Sequence, residues 1–199
     1  MADLEKTRKN LEGRGFRVHR FASGAEAAEF LVQTLHGTSI GIGGSVTIDT
    51  LGVYDRLCGS NEGLWHWKNH APETRERAGK AETYLCSANG VSENGEIVNI
   101  DGFGNRVAGT IYGPERVFLV VGRNKIAPDL TGAIDRTRNI AAPLNARRLN
   151  RHTPCAVGEP RCHDCRSPEK ICGVMTVFFM PPTSIKEFHV ILVDEDLGY

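Results

Sequence analysis

The sequence predicts an α/β protein: a single domain over residues 1–199, with a mostly parallel sheet, helices on both faces and one antiparallel hairpin. Three observations carry that reading. The first third of the chain reads strand, helix, strand, glycine loop, helix. Val117-Phe118-Leu119-Val120-Val121 is an unbroken apolar run, the pattern of a central strand covered on both sides. Asn94-Gly95 separates two runs of strand-forming residues, a strong hairpin signal.

The elements follow in order. Residues 2–13 read as a charged surface helix with Leu4 and Leu11 one heptad apart. Phe16–Phe21 alternates apolar and polar, as a strand does. Ser23 with Glu26 three residues later forms a capping box. The helix behind it carries Ala27, Phe30, Leu31 and Leu35 on one face and stops at Gly37. Ser39–Ile42 is a short strand, and Gly43-Gly44-Ser45 turns it into a helix expected to bury Leu51, Tyr54 and Leu57. Thr83–Ser87 is a strand, and 91–100 is the hairpin, with Glu93 exposed at its apex. Asp101–Asn105 is a second tight loop. A helix is expected from about Asp129 to Ala142, broken by Pro143 and resuming through Arg148. Val174–Phe179 and Glu187–Val193 close the fold as strands.

Composition narrows the function classes. Lys plus Arg and Asp plus Glu are equal at 24 each, so nothing favours nucleic acid or an anionic membrane as a partner. The longest apolar runs are strand-sized and far too short to span a bilayer. The opening Met1–Lys6 is charged and unlike a signal peptide, which gives a cytoplasmic expectation.

Cysteine usage is the most pointed signal. Cys155, Cys162, Cys165 and Cys172 are spaced C-x6-C-x2-C-x6-C within a loop, 153–173, broken by prolines and glycines. The inner pair has the spacing with which two thiolates grip one metal from a tight turn. Tetrahedral zinc, an iron–sulfur cluster, and free or disulfide-paired thiols all fit the pattern. Cys58 and Cys86 lie outside the group and read as small buried hydrophobes.

Two loops are candidates for ligand binding. Gly43, Gly44, Ser45 and Thr47 follow a strand and open a helix, where free backbone N–H groups attract an anion; a plain capped turn is the competing reading. Gly122-Arg123-Asn124-Lys125 follows the buried strand and offers two cations and an amide to a carboxylate or phosphate. Asp101 is a candidate general base, although aspartates in such loops also cap turns. Arg136 and Arg138 read as surface charges. His66 and His70 share a helical spacing that suits a metal, but the Trp65 and Trp67 pair beside them suits a packed flap over a cleft.

Several strings together resemble the lactate-utilisation (LUD) family, formerly a domain of unknown function. They are Ser-Ala-Asn-Gly-Val at 87–91, Ile-Val-Asn-Ile-Asp-Gly-Phe-Gly-Asn-Arg-Val at 97–107, Gly-Pro-Glu-Arg-Val at 113–117 and Val-Gly-Arg-Asn-Lys-Ile at 121–126. Ala-Ala-Pro-Leu-Asn-Ala at 141–146, the cysteine segment and the C-terminal Val190–Val193 with Leu197-Gly198 belong to the same pattern. The resemblance implies a fold like the NagB, ribose-5-phosphate isomerase and CoA-transferase group, whose members hold phosphate-bearing ligands on the glycine loop. It also implies an accessory component of L-lactate or other organic-acid oxidation, working with other lactate-utilisation subunits. The alternative is a stand-alone enzyme on a phosphorylated or CoA-linked small molecule. The candidate set is then Gly43, Gly44, Ser45, Thr47, Asn89, Asn105, Arg106, Asn124 and Lys125 for a small anionic ligand, with Cys155, Cys162, Cys165 and Cys172 for zinc or an iron–sulfur cluster. A homodimer is expected from how often such folds pair.

Overall fold

The computed structural model describes residues 2–199. In its first half, α1 (Leu4–Gly13), β1 (Arg17–Phe21), α2 (Gly24–Thr34), β2 (Ser39–Ile42), α3 (Val46–Leu51), α4 (Tyr54–Cys58), β3 (Glu62–Trp65), α5 (Thr74–Gly79) and β4 (Thr83–Cys86) alternate along the chain. The second half holds β5 (Gly90–Ser92), β6 (Ile97–Asp101), α6 (Asn105–Ile111), β7 (Arg116–Gly122), β8 (Ile126–Ala127), α7 (Leu130–Arg136), α8 (Ala142–Arg148), α9 (Pro154–Val157), β9 (Val174–Phe178) and β10 (Glu187–Val193).

A six-stranded sheet runs in the order β1-β10-β7-β4-β2-β3, with every neighbouring pair parallel. The apolar run of β7 explains why it lies inside. Val117, Leu119 and Val121 join one core with Leu4 and Leu11 of α1, while Phe118 and Val120 join another with Leu31 and Leu35 beside α2. Alternation with period two therefore feeds two cores, one on each face. α5 packs directly on β2, because a Cβ on Gly41 would stand 1.9 Å from the Ala78 carbonyl oxygen. Only glycine permits that approach.

A second sheet, β8-β5-β6-β9, covers one face of the first. The Asn94-Gly95 hairpin joins β5 to β6 antiparallel, with Gly95 at φ +91°. β9 adds antiparallel to β6, so the two closing strands go to different sheets. Among the described residues, no helix is long and apolar enough to cross a membrane.

Four local expectations need correction. The helix after the glycine loop is two, because Gly52 takes φ +63° and ends α3; Leu57 is buried but Leu51 and Tyr54 only partly. Pro143 does not break its helix. A π-helical turn over Thr137–Ala141 lies just before it, with the Ala142 N–H donating to the Thr137 carbonyl, and Pro143 falls in the first turn of α8, where its missing N–H costs little. His66 lies in the turn after β3 and His70 in the irregular chain beyond it, so they share no helical face. Glu93 is largely covered: it accepts from the Asp3 N–H at 2.9 Å and from Lys6 Nζ at 3.1 Å, pinning α1 to the hairpin.

Candidate anion site and cysteine cavity

Three adjacent parallel strands, β2, β4 and β7, end side by side, and the loops at their carboxyl ends meet. They bring Gly44, Ser45 and Thr47 together with Ser87, Asn89 and Lys125 around a cavity of about 50 Å³. Ser45 caps α3 by accepting from the Ile48 N–H at 3.3 Å. Thr47 is buried and donates to the Leu197 carbonyl at 3.2 Å.

Lys125 is the centre of the site. It is 4% exposed, and its ammonium donates to Thr47 Oγ1 at 2.7 Å and to Ser87 Oγ at 2.8 Å. Both partners are neutral. Burial pushes its pKa down to about 7, and the Arg136 and Arg106 guanidinium groups push the same way. Arg136, at the end of α7, is also buried. It donates to the carbonyls of Asn124 and Asn89, and burial lowers its pKa to about 10. Arg106 donates to Asn89 Oδ1 at 3.2 Å and to the Ile100 carbonyl, with Asp101 3.8 Å from its Nε. Lys125 and Arg106 line the cavity together with Tyr199, and Arg136 lies behind them, donating to the Tyr199 oxygen at 3.4 Å; among the described residues Asp101 is the one side-chain carboxylate paired with any of these three cations. Such a surplus favours an anion between them.

The other expected residues are placed as follows. Gly43 is wedged against Arg106 and Tyr84, and a Cβ on Gly44 would meet the Trp67 ring at 3.3 Å. Trp67 stacks on buried Trp65, and Arg148 lies over its ring, so the aromatic pair flanks the glycine loop. Asn124 lies beside the site with its amide engaged on the C-terminal segment, accepting from the Leu197 N–H and donating to the Gly198 carbonyl at 3.1 Å each. Arg123 turns away to Asp194 and Asp196, so the two cations of that loop diverge. Asn105 lines a separate hollow with Phe103 and Arg75. Asp101 accepts from the Phe103, Arg106 and Val107 N–H groups, which holds the start of α6 and leaves its carboxyl well occupied.

Arg136 is where reading by residue type failed. It lies on a helix that looks solvated, and it is buried against the carbonyls of Asn89 and Asn124 and the returning chain at Tyr199. Ser87 and Asn145 also line the cavity. Ser87 lies within a string already noted for the family, but nothing in its neighbours marks it as a lysine partner.

The four cysteines converge elsewhere. Cys155, Cys162, Cys165 and Cys172 line one cavity of about 360 Å³ between the loop, β6, β9 and α8. None is paired in a disulfide. The Arg138 guanidinium donates to Cys162 Sγ at 3.4 Å, and so does the Asp164 N–H. Arg147 ties the loop to α8 through the carbonyls of Ala156 and Gly158. Burial raises the Cys172 pKa, and the three other thiols add to it. Among the described residues, no three His, Cys, Asp or Glu side chains close on a single metal position.

A family model for the LUD domain matches residues 4–193. The chain belongs to the LUD domain family. No curated protein matches it. Among solved structures, the LUD chain is similar to a DUF162 family protein from Deinococcus radiodurans, with a TM-score of 0.54 and 14% identity, covering 96% of this chain and 95% of that one. The likeness at that identity is one of fold. It agrees with the α/β architecture, and the LUD family links the chain to lactate utilisation.

Proposed function

We propose that this LUD protein binds the carboxylate of a small organic acid at Lys125 and serves as an accessory component of L-lactate or related organic-acid oxidation. The observation that carries the reading is the buried Lys125 ammonium, which donates only to hydroxyls and feels the positive charge of Arg136 and Arg106. A bound carboxylate would supply the missing negative charge. Size favours a small acid. About 50 Å³ is room for a few water-sized groups, at roughly 10–15 Å³ each. That suits a three-carbon acid and leaves no place to enclose a CoA moiety. Arg106 and Asn89 are near enough to orient a second oxygen of the ligand. Chemistry on the acid belongs, in this reading, to the assembly with other lactate-utilisation subunits.

The test is thermal and chemical stability against a panel of L-lactate, pyruvate, inorganic phosphate and CoA. Lactate or pyruvate should stabilise the protein by about 2.7 kcal/mol at a hundred times its Kd. Lys125→Met should remove that gain. Stabilisation by phosphate or CoA alone would move the protein to the alternative, an enzyme on phosphorylated or CoA-linked molecules. Turnover of lactate by the isolated chain would overturn the accessory role.

A further inference from the structure

We propose that the cysteine cavity is the seat of a [4Fe–4S] cluster, held by Cys155, Cys162, Cys165 and Cys172, and not of a single zinc ion. The inference is independent of the anion site. It rests on the shape of the space between the thiols. A zinc–thiolate tetrahedron has Zn–S bonds of about 2.3 Å, which draws its four sulfurs to within about 4 Å of one another. Here all four cysteines line one cavity of about 360 Å³, and no three of the metal-ligating side chains among the described residues meet at one point. Ligands standing around a void suit a cube of irons and sulfides, which fills the space and reaches each thiolate at a corner.

The lining fits the same occupant. Ile100, Ile134 and Met175 give the cavity an apolar wall on one side, which lowers the polarity around the sulfides. Four thiolates around an iron–sulfur core leave a net negative charge, and Arg138 and Lys170 line the same space. The Arg138 guanidinium and the Asp164 N–H already aim at Cys162 Sγ. Hydrogen bonds to cluster sulfurs of this kind raise the reduction potential. The chain around the cysteines is anchored from outside: Arg147 holds the carbonyls of Ala156 and Gly158, and Glu169 accepts from the His152 N–H at 2.9 Å.

The cluster also has a neighbour. The Ile100 side chain walls the cysteine cavity, while its N–H donates to Asn89 Oδ1 at 3.0 Å and its carbonyl accepts from Arg106. One residue of β6 therefore separates the two sites.

The experiment is anaerobic purification of the full chain, followed by reconstitution with ferrous iron, sulfide and thiol. Iron, zinc and acid-labile sulfide are then measured beside the visible spectrum. The expected result is about four irons and four sulfides per chain and a brown colour. Dithionite should bleach it by giving one electron to the core, turning one ferric iron ferrous with no bond or proton exchanged. About one zinc per chain without sulfide would overturn the proposal, as would two irons with two sulfides, or no bound metal. Cys162→Ser and Cys172→Ser should each lose most of the iron. Cys58→Ser, whose thiol lies beside Gly63 and away from the cavity, should keep all of it. Should the serine variants fail to fold, the iron-to-sulfide ratio of the unmodified chain decides the matter. Arg138→Gln should keep the iron and lower the reduction potential, and an unchanged potential would remove Arg138 from the cluster's surroundings.

Discussion

Binding of a carboxylate beside Lys125 should take up a proton above neutral pH. In the free protein Lys125 titrates at about 7, because burial and the two arginines disfavour its charge. An anion against the ammonium reverses that penalty, so the bound state keeps the proton to higher pH. Below pH 7 both states are protonated and affinity is flat. Above it the free lysine is neutral, and each binding event must import a proton. From pH 7 to 9 the protonated fraction of free Lys125 falls from about one half to about one hundredth, so affinity should drop about 50-fold. L-Lactate is the suitable probe, since its carboxylate stays ionised throughout. The assay is calorimetric titration at pH 6, 7, 8 and 9 in two buffers of different ionisation heat, which counts the protons directly. Lys125→Met should bind weakly and show no dependence on pH. The same logic acts on folding. The unfolded chain holds this proton up to 10.5 and the ligand-free folded chain only to about 7, so stability should rise with pH between those values and lose that gain as pH falls through 7. The fall from 10.5 to about 7 is worth on the order of 5 kcal/mol. A lactate affinity constant from pH 6 to 9, with no proton uptake, would refute the reasoning.

Other outcomes follow from single contacts. Arg136→Ala should cost about 3 kcal/mol by urea denaturation, because buried carbonyls of Asn124 and Asn89 lose a charged donor. Destabilisation below about 1 kcal/mol would mean that water replaces it. Gly41→Ala should lose about 3 kcal/mol or more, or fail to fold, since its Cβ meets the Ala78 carbonyl oxygen at 1.9 Å; normal stability would show that α5 is free to shift. Gly44→Val should act through Trp67, with tryptophan fluorescence changing as the ring is displaced, and an unaltered spectrum would place the new side chain elsewhere. Glu93→Gln should cost less than about 1 kcal/mol, since its ion pair to Lys6 is half in solvent; a larger loss by denaturation would make the pinning of α1 a main support of the fold.

The sequence by itself determined the parts whose cause is local. Period-two alternation in Val117–Val121 marked the central strand, Asn94-Gly95 marked the hairpin, and Ser23 and Ser45 marked two helix starts. That Lys125 and the glycine loop lie near each other could be read from the sequence because both follow strands, whose carboxyl ends meet in a parallel sheet. Tertiary structure alone decided what depends on distant returns of the chain. Pro143 looked like a helix stop until a π turn placed just before it left its missing N–H at a helix start. Asp101, Asn105 and Asn124 had the residue types of a binding site, yet α6 and the Leu197–Gly198 segment engage the first and the last, and Asn105 faces another hollow. Arg136 carried no signal, because its carbonyl partners lie 12, 47 and 63 residues away along the chain. Spacing could group the four cysteines, but only packing could set the size of the cavity they line, because residues of β6, β9, α7 and α8 form part of its wall.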